Sequence, residues 1–136
     1  MSEVLDVLLG GTARNVNREL PTKEYNVLRL SKETGQPVIF KLQALTYNRA
    51  AELAGMSYDM DAQTVLSGVA APNLRDVRLA VKLGLLQENE EWGAHGVTPV
   101  ELVKALLLPG EIAAISRMVQ QLSGYQTVTL REVKKN

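Results

Sequence analysis

The sequence predicts an α+β fold, mainly α, in which an N-terminal β-hairpin packs on a C-terminal bundle of about four to five helices. Between residues 24 and 45 the apolar residues recur at every second position, whereas after Leu45 they recur at helical spacing. The length of 136 residues suits one domain with a core of its own. A single domain over 1–136 is therefore expected. It divides into a partly flexible segment at 1–23, a hairpin at 24–45, a helical bundle at 46–124 and a tail open to disorder at 125–136.

Residues 2 to 9 read as a short helix with Leu5, Leu8 and Leu9 on one face, stopped by Gly10-Gly11. Thr12 to Pro21 is polar and reads as a mobile connection. From Glu24, Tyr25, Val27 and Arg29 alternate with Asn26, Leu28 and Leu30. The segment Ser31 to Pro37 is rich in turn formers, and Val38, Phe40, Leu42 and Ala44 then share one strand face, with Lys41 and Gln43 on the other. A two-stranded ribbon is marginal alone, so this apolar face must rest on helices.

Helices follow. Thr46 is a suitable N-cap for Tyr47–Ala54, and Gly55 for its end. Asp61 is expected to cap a helix running from Ala62 to about Ala70, with Pro72 forbidding its continuation. Asn73 is expected to cap the next, along Leu74, Val77, Val81 and Leu85. Gln87 to Val97 is polar and punctuated by Gly, hence a loop. Thr98-Pro99-Val100-Glu101 reads as a capping box with Pro at the first helical position. Pro109-Gly110 breaks the helix that follows. Glu111 then opens a last one, where an anion suits the dipole. Its core stripe is Ile112, Ile115, Met118, Val119 and Leu122, opposite Ser116, Arg117, Gln120 and Gln121, and Gly124 is its expected C-terminal cap.

Composition narrows the function. The chain contains no cysteine, which removes disulfides, thiolate chemistry and Cys-ligated zinc. Fifteen basic residues balance fifteen acidic ones, against the basic excess that phosphate contacts demand of a nucleic-acid binder. Aromatic residues are few, which disfavours base-stacking platforms. Acidic residues occupy the start, Met1-Ser2-Glu3-Val4-Leu5-Asp6, where a signal peptide carries Lys or Arg, and no apolar run approaches the ~20 residues of a membrane span. The chain reads as soluble and unsecreted.

No catalytic, cofactor or metal centre emerges. The single histidine, His95, lies among Gly93, Ala94 and Gly96 with no neighbouring nucleophile or second ligand, and reads as a solvated loop residue. Asp59 and Asp61 suggest a calcium loop, but Thr64 and Ala70 stand where an EF-hand needs Gly and Glu. Glu88, Glu90 and Glu91 read as a solvated run. No phosphate loop, nucleophile elbow or His-Glu-x-x-His occurs. Arg75, Arg78 and Lys82 share a helix face and raise the alternative of a small DNA-binding regulator with a turn near Pro72; Asp76 beside the stripe and the neutral total oppose it.

The least ordinary feature is hydrophobic. Residues 99–108 carry only Glu101 and Lys104 as polar positions, three apart and hence on one narrow face. A helix apolar on several sides either centres the bundle or leaves a patch for a partner. The sharper reading puts Leu102, Leu106, Leu107, Leu108, Pro109, Gly110 and Glu111 in a protein-docking surface.

In order along the chain, Leu20-Pro21-Thr22-Lys23-Glu24, Arg29-Leu30-Ser31, Phe40 to Tyr47, Val69 to Leu74, Thr98 to Val103, Leu108 to Ile112 and Leu122-Ser123-Gly124-Tyr125 resemble the tail assembly chaperones of contractile-tailed phages and prophages, the XkdN-like family. The resemblance implies a non-enzymatic helper without cofactors. Such a helper coats the long, largely helical tape measure protein in the host cytoplasm and is absent from the mature virion. It offers as further partners the tail tube protein and a frameshifted longer form of the chain, the latter because Lys134-Lys135-Asn136 can be encoded by a slippery adenine run. Self-association stays open.

Overall fold

A computed structural model describes residues 2–11 and 13–125, apart from the side chain of Ser2. Lys134-Lys135-Asn136 and all of the tail after Tyr125 lie outside the described residues. Among the described residues the architecture is α+β, with seven α-helices and one three-stranded antiparallel sheet.

Helix α1 (Ser2–Gly10) comes first, followed by β1 (Thr22–Asn26). The expected turn at 31–37 is instead largely a helix, α2 (Leu28–Thr34), so the two N-terminal strands are joined through a helical crossing. Two forces override the apparent alternation. Arg29 and Glu33 pair one helical turn apart, and Gly35 supplies the left-handed residue (φ 71°) that closes α2. Leu30 turns into the core while Leu28 faces water, whereas a strand would put these two residues on one face. Ser31 fastens the crossing at its base: its hydroxyl donates to Asn26 Oδ1 (2.6 Å) and accepts from the Val38 amide (2.8 Å).

Strand β2 (Ile39–Gln43) pairs antiparallel with β1, Tyr25 opposite Phe40. The predicted alternation holds. Phe40, Leu42 and Ala44 are buried and Lys41 is exposed, so one face of the ribbon rests on helices as its marginal stability requires.

Thr46 caps α3 (Tyr47–Ala54) as expected, its Oγ1 accepting from the Arg49 amide (3.2 Å). The next helix, α4 (Met60–Gly68), starts two residues before the expected Ala62 and is not capped by the Asp61 side chain; Asp59 occupies the N-cap in a left-handed conformation (φ 52°). It also ends early. Val69–Ala71 forms β3, the third strand, antiparallel to β2 with a register shift at Lys41/Leu42. Two features of the sequence enforce the switch. Pro72 disfavours helical backbone at Ala71, and Gly68 lies so close to Val119 that a β-carbon there would sit 2.4 Å from a valine methyl.

Asn73 makes a turn, not a cap: its Oδ1 accepts from the Arg75 amide, and the short α5 (Val77–Lys82) is capped by Asp76, whose Oδ1 accepts from the Arg78 amide. The loop predicted at 87–97 is irregular apart from a 3₁₀ turn at Ala94–Gly96. Helices α6 (Pro99–Leu106) and α7 (Pro109–Leu122) follow. Thr98 is the N-cap of α6, yet its side chain makes no capping bond, so the capping box expected there does not form.

The end of α7 behaves as the sequence predicts. Gly124 is left-handed (φ 96°), the Tyr125 amide donates to Gln120 O (2.9 Å) and the Gly124 amide to Gln121 O (3.0 Å), which together satisfy the last carbonyls. Helix α7 lies against α4 and β2, and its core stripe of Ile112, Ile115 and Val119 is buried. Phe40, Leu42, Leu53, Val65, Leu102, Val103 and Ile115 are almost wholly enclosed; each such aliphatic or aromatic side chain contributes about 1.5–3 kcal/mol of transfer free energy.

Candidate functional site

The apolar run before Pro109 divides in two. Leu102 and Val103 face the core completely, and Leu107 is 3% exposed. They centre the bundle and present no surface. Leu106 is half-buried, while Leu108 (54% exposed), Pro109 and Gly110 project from the corner between α6 and α7. Beside this corner lies an open groove of about 460 Å³. Met60, Ala62, Leu107 and Ile112 form its floor, Pro109 one end, and Asp59, Asp61 and Lys104 its polar rim. Lys104 leans towards Asp59 (3.5 Å) and Glu101 (3.8 Å), so the rim as a whole is acidic.

Glu111, singled out in the sequence as a surface residue, holds the corner together. Its Oε1 accepts from the Leu108 amide (2.8 Å), which is half of a capping box; Leu108 has no side-chain acceptor to complete it. The same carboxylate takes three hydrogen bonds from the Arg29 guanidinium, the shortest 2.8 Å. Arg29 also donates to Leu106 O (2.7 Å), a carbonyl at the open end of α6. The guanidinium of α2 therefore ties the end of α6 to the start of α7. Its hydrogen bonds are the main cause that keeps the Glu111 carboxyl below the usual range, with the Leu108 amide adding to it and desolvation opposing. Nothing in the periodicity of α2 marks Arg29 for this task, because its partners lie 77 and 82 residues downstream.

The polar side of α7 is not solvent-facing throughout. Ser116 (1% exposed) and Gln120 are buried, against expectation. Ser116 donates to Asp61 Oδ1 (2.9 Å) and accepts from Gln120 Nε2 (3.0 Å), so the chain of bonds that seats α7 on α4 also anchors one carboxylate of the groove rim.

The basic stripe does not survive as one helix face. Arg75 lies in the turn before α5, which has only six residues, and Arg78 is drawn onto Asp76 (2.6 Å). That guanidinium is the first cause holding the Asp76 carboxyl at a pKa of about 2. Arg75, Arg78 and Lys82 thus do not line up on one recognition helix. His95 Nε2 meets Glu90 Oε2 (2.7 Å) in the exposed loop, and Glu90 also accepts from the Gln87 amide, which leaves the pair a loop brace. Among the described residues no three His, Cys, Asp or Glu side chains group as metal ligands, and no helix is long and apolar enough to cross a membrane.

One surface went unmarked in the sequence. Val4, Leu5, Val7, Leu8 and Leu9 of α1 are all 54–76% exposed. The available signal was Gly10-Gly11 followed by a polar stretch, which separates this apolar face from anything that would cover it.

No curated protein matches the chain. Among solved structures, the crystal structure of the protein yqbn superposes with a TM-score of 0.56 at 19% identity, covering 89% of this chain and 95% of that one, which shows a shared fold. A family model described as phage XkdN-like tail assembly chaperone protein matches residues 56–135, more than half of the chain and including α4, β3, α5, α6, α7 and the groove. The chain belongs to the phage XkdN-like tail assembly chaperone family.

Proposed function

We propose that the protein is a non-enzymatic chaperone that binds the tape measure protein during phage tail assembly, receiving an amphipathic helix of that partner in the groove beside Leu108-Pro109-Gly110. The observation that carries this reading is the exposed apolar corner, whose Pro109 also lines a groove with buried apolar side chains beneath it, inside the segment that matches the chaperone family. A groove of this kind takes up the apolar face of a helix, and an acidic rim favours a helix with basic flanks. Of the surface expected from sequence, Leu108, Pro109 and Gly110 remain as contact residues, Leu106 borders them, and Glu111 holds them in place. Leu102 and Leu107 act from beneath as core.

The work is done in the host cytoplasm and leaves no copy in the mature virion. The tail tube protein and a frameshifted longer form are further partners on this reading. Co-expression with the tape measure protein tests it. The native chain is expected to co-purify with the tape measure, and Leu108→Asp, at an exposed position, to lose the complex while keeping its fold. A complex undiminished by Leu108→Asp overturns the surface, and a native chain that never co-purifies overturns the partner. Mass spectrometry of purified virions checks the predicted absence.

A further inference from the structure

Two exposed features remain without a role in the groove: the apolar face of α1 and the face of α5 that carries Arg78 and Lys82. Along α1, Val4 and Leu8 are one turn apart, as are Leu5 and Leu9, and together they form a continuous stripe bordered by Asp6 on one side, while Glu3 adds its charge from the far face. The helix holds no basic residue. The α5 face offers the opposite arrangement. Pro72 and Leu79 line a shallow depression of about 400 Å³ shared with Asn73, Asp76, Arg78 and Lys82. Asp76 is satisfied by Arg78, and Lys82 has no carboxylate partner among the described residues, so the depression is apolar with a net positive edge.

We infer that α1 of one copy docks in the α5 depression of a second copy, the two copies exchanging their first helices to form a dimer. Each chain carries both halves of the contact, an apolar helix of net negative charge and an apolar recess with a net positive edge, which makes a second copy the partner that fits both at once. Reciprocal exchange gives each half the same environment and closes the assembly as a two-fold dimer. Residues 11–21 join α1 to β1; with the exposed turn at Asn15–Arg18 opened, about eleven residues span up to ~36 Å. The contact lies apart from the α6–α7 corner and stands whether or not the tape measure is the partner there.

Sedimentation of the full chain over a micromolar to sub-millimolar range tests the exchange. The native chain is expected to shift from monomer to dimer, and Leu5→Asp/Leu8→Asp to stay monomeric. Charge reversal gives the sharper readout. Glu3→Lys/Asp6→Lys alone makes both halves basic, and Arg78→Glu/Lys82→Glu alone makes both acidic, so each is expected to be monomeric. An equimolar mixture of the two is expected to recover a one-to-one dimer. A native chain that stays monomeric at the highest concentration overturns the proposal. So does a dimer that survives Leu5→Asp/Leu8→Asp, or a mixture that stays monomeric. Circular dichroism and thermal melts of each variant confirm that the body remains folded, since every substituted side chain is exposed or half-buried at the surface.

Discussion

Helices α1 and α6 are nearly the same length and comparably apolar, yet α6 sends Leu102 and Val103 into complete burial while every described apolar side chain of α1 meets water. Their own sequences do not separate them. The connections do. Helix α6 is followed after two residues by α7, and Arg29 and Glu111 pin that corner from both sides. Helix α1 is cut off by Gly10-Gly11 and a polar segment before the first strand. An apolar helix in a small chain is core or docking surface according to how tightly the neighbouring elements are tethered to it.

That contrast can be broken by substitution. Leu107→Asp, which places a charge under α6 and α7, is expected to abolish the folded state in denaturant melts, since an unpaired buried charge costs more than about 4 kcal/mol. Leu102→Ala should cost about 2–5 kcal/mol through lost burial and a cavity. Leu8→Ala on α1, melted at a concentration low enough to keep the chain monomeric, should change stability by less than about 0.5 kcal/mol. A comparable loss from Leu8→Ala would show that α1 is packed in the monomer and would erase the distinction. Gly68→Ala probes the seam between α4 and α7, where the added methyl meets Val119. It is expected to cost about 1–3 kcal/mol, and Val119→Ala in the same chain to restore part of that.

The corner itself can be sharpened by pH. The Glu111 carboxyl is held below its ordinary value, first by the Arg29 hydrogen bonds, so the folded state favours its ionised form. Its contribution is therefore complete above the ordinary carboxylate range and is lost as pH falls through the lowered value. Glu111→Gln should cost about 1–2 kcal/mol at neutral pH. The gap between the two proteins should close as the solution is acidified below the carboxylate range. A gap independent of pH would mean that the charge on Glu111 contributes nothing.

How much of this was legible depended on whether the deciding partner was near in sequence. Thr46, Gly124 and the alternation of Phe40, Leu42 and Ala44 act within a few residues, and the sequence displays them. The third strand was hidden because Val69-Ala70-Ala71 is compatible with helix, and the approach of α7 at Gly68, which acts with Pro72 in ending α4 there, comes from a partner far along the chain. Helix α2 was hidden because Leu28 and Leu30, with Val27 before them, also read as a strand. At the candidate site, the apolar run was visible but its division was not. Which of Leu107 and Leu108 points inward is set by the turn at Pro109 and by Arg29, a residue far upstream.

The Arg29 clamp also constrains when the protein can take shape. Its acceptors, Leu106 O and the Glu111 carboxylate, are made long after the guanidinium, and the Leu45 amide waits longer still for its acceptor at Ser123 Oγ. On a translating ribosome the N-terminal ribbon therefore emerges before α7, the helix that packs on β2, and this part of its cover arrives late. The contacts that fasten α2 and the end of the ribbon to the α6–α7 corner and to the end of α7 are thus among the last that the growing chain can make.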